Sequence, residues 1–521
     1  MSKTIDVEKA VAMVKDGDTV VVDGVTFGCP EDLCVAIEER FLKTGHPRNI
    51  TLAVPGGTGD TRGRGLDHFA HEGMIKIYAG SYLNLTRKLA KLVAEEKIEA
   101  YMLPLGVCCQ LYREIGAGRP GLFTRVGLKT YLDPRYEGGR LNSVSRGDDF
   151  VPEVITFKGK EYLYFKPFKI NVAFIRGTTS DEQGNITVEK EAGIANGLEM
   201  AIAAKKCGGQ VVAQVERIAA NGTLKPKEVK VPGILVDAVV IARPENHTQT
   251  WRQQYNPALS GEIRLPKTII PPVPFDYPKV VARRALLELS PGMIVNLGAG
   301  MSEFISSVAW EEGIHEDITF VIEAGMIGGV PGFGLDFNTA TNAACIIGQP
   351  AMLDFLDGGG HDISCVGFAQ IDRQGNVNVS KLGSRITGIG GFLDVAPTAK
   401  RRIHCGAFTA GKPEIKIEDS KVKIAKDGEV LKFIDQVEQI SVSGEYALEV
   451  GQPVKIITER AVFAWVKEGL VLTEIAPGVN LQENILNKMS FKPLISPKLQ
   501  EMPAEIFREP LLKLKEKPPW S

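Results

Sequence analysis

The stretch Ala10–Gly24, AVAMVKDGDTVVVDG, and the stretch Ala285–Gly300, ALLELSPGMIVNLGAG, carry one pattern twice. Each starts with apolar residues at helical spacing, breaks at a glycine (Gly17 or Gly292), continues as a short apolar strand and ends in a Gly-containing loop that leads into a helix. A second pair of blocks repeats in the same order. Asp181-Glu-Gln-Gly184-Asn185-Ile-Thr-Val188 matches Asp372-Arg-Gln-Gly375-Asn376-Val-Asn-Val379, each after an apolar strand and each with Gly-Asn as the turn. The two matches have different offsets, so the first half carries an insertion of roughly 80 residues between them.

Outward from these blocks the same alternation continues. Apolar runs at Val20–Asp23, Val172–Ile175, Val211–Val215 and Val239–Ala242 read as strands, and Glu31–Phe41, Leu85–Glu96 and Phe304–Glu312 read as helices. Strands alternating with helices predict an α/β protein. Its architecture is two tandem, similar, open α/β domains from an internal duplication, with the active site between them. The Pro-rich, aperiodic stretch after Trp251 suits a linker. The division expected is a first domain over 1–255, a linker over 256–275, a second domain over 276–510 and a charged, Pro-rich tail over 511–521, expected to be mobile.

The bulk properties exclude several function classes. A chain of 521 residues is too long for one core. With 44% apolar and 24% charged residues and a formal net charge of −2, nothing in it attracts nucleic acid. Its eight cysteines form no CxxC pair, so no zinc knuckle or redox motif is signalled, and the adjacent Cys108 and Cys109 read as packed thiols. The amphipathic N-terminus lacks the apolar core of a signal peptide, and no apolar run approaches the roughly 20 residues of a membrane span. The expectation is a reduced, cytoplasmic enzyme with neither nucleic acid nor membrane as partner.

Three glycine-rich segments could carry chemistry. Asn296-Leu-Gly298-Ala299-Gly300 follows a strand and precedes a helix. As a dinucleotide fingerprint it lacks the third glycine; as a close turn it offers N–H groups of Gly298, Ala299 and Gly300 to an anion or oxyanion. The second segment, Phe320-Val-Ile-Glu323-Ala-Gly325-Met-Ile-Gly328-Gly329-Val-Pro331-Gly332, sends a buried strand straight into a carboxylate and then a glycine loop. Glu323 could be a strand-end cap or ion-pair partner; alternatively it is chemical. The third, Gly388-Ile-Gly390-Gly391-Phe392, is a loop whose backbone could lie against a ligand, or a plain turn. His361 and Asp362 after Asp357-Gly-Gly-Gly360 could pair as acid and base, though a polar turn is the simpler reading. His68 and His71 lack a third ligand nearby, so no metal site is expected. No GxSxG, HExxH or P-loop signature occurs.

Taken together, these residues resemble the class I CoA-transferases, most closely the single-chain acetate/propionate type. The stretches that carry the resemblance include GDTVVVDG, RGRGLDHFAHEG, NLGAG, EAGMIGGVP, GNVNVSKLGSRITGIGGF, CGAFTAG and ITERAVF, between about Val7 and Ile495. The resemblance implies two fused domains of the CoA-transferase fold. It implies Glu323 as the nucleophile, Gly388, Gly390 and Gly391 as backbone against the CoA thioester, and Gly298–Gly300 as the companion loop. One departure stands out: Leu105, before Gly106, occupies the place where the family often has a Gln that helps form the oxyanion hole. Leu105, Gly106 and Phe27 are the expected acyl-pocket residues.

The activity so implied is ping-pong transfer of CoA from a short-chain acyl-CoA to a carboxylate such as acetate, through a glutamyl-CoA thioester. Coenzyme A is then a substrate, with no permanently bound cofactor and no metal, in a homodimer or homotetramer. The alternatives are an acyl-CoA hydrolase on the same fold, an NAD-dependent oxidoreductase resting on NLGAG alone, and a non-catalytic CoA- or nucleotide-binding protein.

Overall fold

In the computed structural model, which describes residues 2–266 and 272–520, the two copies fold as two sheets with a shared strand order. The first consists of β1 (Thr19–Val22), β2 (Ile50–Val54), β3 (Ile75–Gly80), β4 (Glu99–Met102), β5 (Val172–Arg176), β6 (Gln210–Val215) and β7 (Ala238–Ile241). They lie in the order β7-β6-β5-β1-β2-β3-β4, every neighbouring pair parallel. The second is built on β8 (Ile294–Leu297), β9 (Thr319–Val321), β10 (Met326–Ile327), β11 (Cys345–Ile346), β12 (Ile363–Val366), β13 (Arg401–Cys405) and β14 (Val454–Ile457). Its run β14-β13-β12-β8-β9 repeats β7-β6-β5-β1-β2 of the first. Helices cover these parallel strands, as continuous apolar runs buried on both sides require.

The repeated blocks occupy equivalent places. Gly17 and Gly292 both have positive φ, +77° and +82°, and their N–H groups bond the carbonyls of Arg48 and Asp317, each just ahead of the adjacent strand. In the second block the Asp181 carboxylate accepts the N–H of Gln183 at 3.0 Å and of Asn185 at 2.9 Å, closing an Asx turn. Asp372 does the same with Gln374 at 2.9 Å and Asn376 at 3.0 Å. Gly184 and Gly375 sit between them in the left-handed region. Each turn closes a short hairpin directly after the central strand β5 or β12.

The halves differ at their edges. In the first, most of the insertion lies between the helix α1 (Leu105–Gly116) and β5, where Leu122–Thr124, Glu153–Phe157 and Lys160–Phe165 form a separate antiparallel sheet. The matching helix of the second half, α2 (Gln349–Asp357), runs almost directly into β12. The second sheet instead grows beyond β14 by the antiparallel strands β15 (Ala461–Val466) and β16 (Gly469–Ile475) and by β17 (Leu494–Glu501). Apolar side chains of both halves meet in one continuous core that joins Leu33 and Tyr78 to Phe408 and Phe463.

Two expectations about the connecting segments change. The central part of the expected linker, 267–271, and Ser521 lie outside the described residues. The flank before it is tied down: Leu265 exchanges hydrogen bonds with the Asn342 side chain at 2.8 and 2.9 Å, and Thr250 donates to Asp336. The C-terminal tail, read as mobile from its charge, is docked through to Leu514. Leu512 and Leu514 are buried in the second core, and the guanidinium of buried Arg283 donates to the carbonyls of Arg508, Glu509 and Pro510. Two leucines spaced among lysines give no period long enough to announce burial. No helix among the described residues is long and apolar enough to cross a membrane.

His68 and His71 belong to an ion-pair cluster. His68 bridges Glu31 and Glu38, and His71 bonds the second oxygen of Glu38. Burial alone would push the His68 imidazole down, but the hydrogen bonds to Glu31 and Glu38 outweigh it and hold the group up at about 9, against an ordinary 6.5. The stabilisation is therefore fully present below pH 6.5 and is lost as the pH rises through about 9. By linkage it amounts to about 3 kcal/mol. Urea unfolding at pH 6.5 and pH 9.5 should show that loss, and His68→Gln should abolish most of the difference; an equal difference in the variant would remove His68 from the account.

Candidate active site

Glu323 stands at the crest of a tight turn at the C-terminal end of β9. The Ile322 N–H bonds the Met326 carbonyl at 3.0 Å and the Gly325 N–H bonds the Ile322 carbonyl at 2.9 Å. Gly325 has φ +109°, and a Cβ there would lie 2.1 Å from the Ile347 carbonyl oxygen, so glycine is required. The neighbours Ile322 and Ala324 are buried in an apolar cluster with Val25, Leu105, Met326 and Leu353, drawn from both halves. With both neighbours anchored inward, the Glu323 side chain is the one left to face the space between the halves.

That space is a cavity of about 520 Å³. The first half supplies Val25, Thr26, Tyr82 and Leu105, and the second supplies Asn296, Glu303, Phe368 and Phe392, with Glu323 in the wall. Such a volume between two halves at the C-terminal ends of parallel strands is where an open α/β fold takes a small ligand.

The glycine loop 388–391 crosses from the second half onto the first. The N–H groups of Ile389 and Gly390 both donate to the Ser81 carbonyl, at 2.9 and 2.7 Å, and the Gly390 carbonyl accepts the Leu105 N–H at 3.0 Å. Gly388 has φ +84°, and a Cβ there would meet the Ser81 oxygen at 2.8 Å. Gly391 has ordinary φ, −86°, but its Cα lies against the carboxylate: a Cβ would fall 1.8 Å from Glu323 Oε2. The GxGG pattern is thus a contact between halves at its start and a seat for Glu323 at its end. Among the described residues, the N–H groups of Ala299 and Gly391 meet no protein acceptor, although both residues line the cavity.

The charges in the cavity are few and raised. Burial lifts Glu323 to about 7, against a weaker downward pull from a hydrogen bond with the Asn338 side chain. Asn338 holds a left-handed backbone, φ +69°, and its Oδ1 is buried without a partner. Burial also lifts Glu303 to about 7, opposed by the Gly300 N–H, which donates to its Oε1 at 3.0 Å. The Tyr82 phenol is pushed up by burial first, and the charges of Glu323 and Glu303 both add to it. Behind Leu105, the carboxyls of Asp357 and Asp394 converge on Gly106. Burial lifts Asp357 to about 8 against its bond from Gln110 at 2.6 Å, and Asp394 is raised first by burial and then by Asp357. Two buried carboxyls so close hold a proton at neutral pH.

The structure brings Glu323, Gly298, Ala299, Gly388, Gly390, Gly391 and Leu105 to one cavity. Three expected residues are placed elsewhere. Phe27 does not reach the cavity; its ring packs beneath it against Gly193, where a Cβ would come within 2.4 Å of Cζ. Gly106 does not line it either: a Cβ there would lie 2.4 Å from Asp394 Oδ1, so this glycine lets α1 approach two buried acids. Gly300 lies just past the wall. Of the N–H donors expected at 298–300, Gly298 is bound to the Cys365 carbonyl at 2.8 Å and Gly300 to Glu303. Leu105 is the first residue of the helix α1. His361 and Asp362 point apart, His361 to the Val395 carbonyl and Asp362 to Ile294 and Lys400. Sequence reading missed Asn338, Glu303 and Tyr82, whose places in the cavity wall depend on tertiary contact alone. Among the described residues no cluster of His, Cys, Asp and Glu could hold a metal ion.

The cleft between the duplicated α/β halves, with the Glu323 carboxylate against Gly391, is the candidate site, and comparisons with known proteins give the class of the chain. The family model described as Coenzyme A transferase matches residues 4–242. The chain is 44% identical over 516 residues to the caffeate CoA-transferase of Acetobacterium woodii, covering 98% of each. It is 39% identical over 505 residues to the acetate CoA-transferase YdiF of Escherichia coli strain K12, covering 96% of this chain and 94% of that one. The crystal structure of the acyl-CoA transferase from Escherichia coli O157:H7, a thioester complex with CoA, superposes with a TM-score of 0.93 at 37% identity, covering 98% of this chain and 97% of that one. The chain belongs to the Coenzyme A transferase family, as a single-chain class I CoA-transferase with the two-domain fold of that family. It is a transferase acting on acyl-CoA.

Proposed function

We propose that the protein transfers CoA from a short-chain acyl-CoA to a carboxylate such as acetate by a ping-pong route, with Glu323 carrying the CoA. The observation that supports this best is the Glu323 carboxylate itself, seated on Gly391, facing the cavity between the halves and raised to about 7. A carboxylate with its basicity raised by burial is a better nucleophile than one in water. Glu323 attacks the acyl-CoA carbonyl, the C–S bond breaks, and CoA leaves as thiolate beside an acyl–glutamyl anhydride. The thiolate then attacks the glutamyl carbonyl, releases the first carboxylate and leaves a glutamyl–CoA thioester. A second carboxylate runs the steps backward. Every bond broken has a counterpart formed, so no ATP, metal or bound cofactor is required. The E. coli relative crystallised as a thioester with CoA supports this chemistry.

Leu105 offers no side-chain hydrogen bond to a developing oxyanion, so the donors fall to backbone. The free N–H groups of Ala299 and Gly391 are the candidates; fixed donors of this kind cost little reorganisation. Remote CoA contacts supply binding energy that can be used at the reacting carbon. Domains over 1–255 and 276–510, a cytoplasmic location and a homodimer or homotetramer complete the reading. Sedimentation velocity checks the assembly, and a monomer would contradict it.

The experiment that separates transfer from hydrolysis follows free thiol during turnover of butyryl-CoA. With acetate present, acetyl-CoA should form at the rate butyryl-CoA disappears, with little free CoA. Without acceptor, consumption should stop near one equivalent per active site. Continued CoA release without acceptor would favour the hydrolase.

A further inference from the structure

Helix α1 of the first half meets the second half along one face. The Leu105 N–H donates to the Gly390 carbonyl at 3.0 Å, the Gln110 side-chain amide donates to Asp357 Oδ2 at 2.6 Å, and Arg113 pairs with Asp354. Positions 106, 110 and 113 share that face, at spacings of four and three. Their counterparts come from the last turn of α2 and from the short helix Phe392–Val395, which begins where Gly391 seats Glu323. The N–H groups of Asp394 and Val395 both donate to the Gly391 carbonyl, at 2.9 and 3.0 Å, so the short helix and the seat are one piece.

Two acids stand in the middle of that face. A Cβ on Gly106 would lie 2.4 Å from Asp394 Oδ1 and 2.9 Å from Asp357 Oδ2, so both oxygens crowd over one glycine. Asp394 is fully buried, and among the described residues neither of its oxygens has a hydrogen-bond partner; nor has the buried Asp357 Oδ1. The charged groups that act most on the two are themselves acids, Asp357 and Glu323 on Asp394, and Asp354 on Asp357. Two buried charges so placed would repel without compensation, whereas one proton removes a charge and supplies a hydrogen bond. The helix ends decide where it sits. Asp394 faces the N-terminus of α1, where the Gly106 N–H favours its charge, and Asp357 is the last residue of α2, where the carbonyls oppose charge. The proton therefore belongs on Asp357 and the negative charge on Asp394.

We propose that Asp357 and Asp394 are positioning residues: one proton shared between them clamps α1 onto the short helix Phe392–Val395, and the clamp holds Gly391, and with it the Glu323 carboxylate, in attacking position. The inference rests on the reading of Glu323 as the CoA-carrying residue and adds what fixes that residue in place. Other titratable groups face the pair. The Cys108 and Cys109 thiols of α1 are pushed up by burial, and His361, which bonds the Val395 carbonyl, is pushed down. Asp354 is tied to Arg113, and Glu199 of the helix Gly197–Lys206 is raised by burial. A variant that changes the pair alone separates it from these.

The test uses butyryl-CoA with acetate. Asp357→Ala removes the proton donor and should lower kcat about 100-fold, the cost of a displacement near one ångström, with little change in KM. Asp357→Asn should restore most of that loss, because its amide donates to Asp394 as the protonated acid does. The pH profile separates the shared proton from packing. Wild-type kcat should fall as the pH rises through about 8, where Asp357 gives up its proton and two charges face each other. Asp357→Asn has no proton to lose there, so its alkaline fall should disappear. A fall as steep in Asp357→Asn as in the wild type would overturn the shared proton, and this profile decides alone if Asp357→Ala does not fold. An Asp357→Ala enzyme with full kcat, or with a loss confined to KM, would overturn the clamp. Intact-protein mass after mixing with butyryl-CoA alone keeps the two readings apart. Absence of a CoA adduct on the wild type sinks the glutamyl-CoA reading. An adduct formed equally fast by the wild type and Asp357→Ala sinks only the clamp.

Discussion

Glu323→Gln should lower CoA transfer by about four orders of magnitude or more while leaving the fold and acyl-CoA binding in place. The amide keeps the shape that fits against Gly391 and can still bond Asn338, so the cavity survives. What disappears is the nucleophilic oxygen charge, and with it the covalent route. Glu323→Asp keeps the charge but withdraws it by one methylene from a reaction that needs contact at roughly 3–3.5 Å, so it too should be severely impaired. In the wild type, activity should fall as the pH drops through about 7, because burial raises this carboxyl and the protonated acid does not attack. Melting temperatures within a few degrees of wild type, beside steady-state rates, make the comparison fair. A glutamine variant with most of its activity would contradict the assignment.

The second large effect is expected at Gly391→Ala. The backbone there has φ −86°, which any residue adopts, so alanine brings no conformational strain. Its Cβ would nevertheless fall 1.8 Å from Glu323 Oε2 and 2.7 Å from Cδ, so the carboxylate must move by more than an ångström. Displacement on that scale costs about 100-fold in rate. Gly390→Ala is the control one residue away. Its φ of +54° makes alanine somewhat unfavourable, but its Cβ would meet only Tyr82 Cδ2 at 3.7 Å. A loss at Gly391 much larger than at Gly390, with similar folding, is the expected result; equal losses would mean that loop strain, not the seat of Glu323, controls the rate.

Much of the fold was legible because duplication leaves its mark on residues with stringent backbone needs. Gly17 and Gly292 need positive φ, and Asp181 and Asp372 need a Gly-Asn partner to close the same turn, so these positions kept their pattern while the strands between them drifted. The strands added at the edges were not legible. In β15 to β17 and in the sheet at 122–165, exposure alternates with pairing partners that sequence alone does not identify. The tail misled for a similar reason, since Leu512 and Leu514 are buried by contacts with residues some 200 positions earlier.

The site divides the same way. Glu323 and the glycines could be read because a carboxylate between a buried strand and a glycine loop is a local pattern. Gly391 shows why one of those glycines exists, and that reason lies in a side chain 68 positions away. Phe27 and Gly106 were misplaced as pocket walls because an apolar loop residue and a glycine look alike whether they face a cavity or support it. Asn338 and Glu303 carry no local signal. One is marked by its left-handed backbone and its unpaired Oδ1, the other by burial without a cation, and both are properties of the folded chain.

The central claim is that Glu323 becomes bonded to CoA. The direct measurement is to mix the enzyme with an acyl-CoA in the absence of acceptor, treat with borohydride, digest and map the modified residue by mass spectrometry. A thioester is reduced to the alcohol, whereas a free carboxylate is not. The account predicts one alcohol per chain, at position 323, appearing only when acyl-CoA was added and absent from Glu323→Gln. Reduction at Glu303, or no modified carboxylate at all in an enzyme that still turns over, would contradict it.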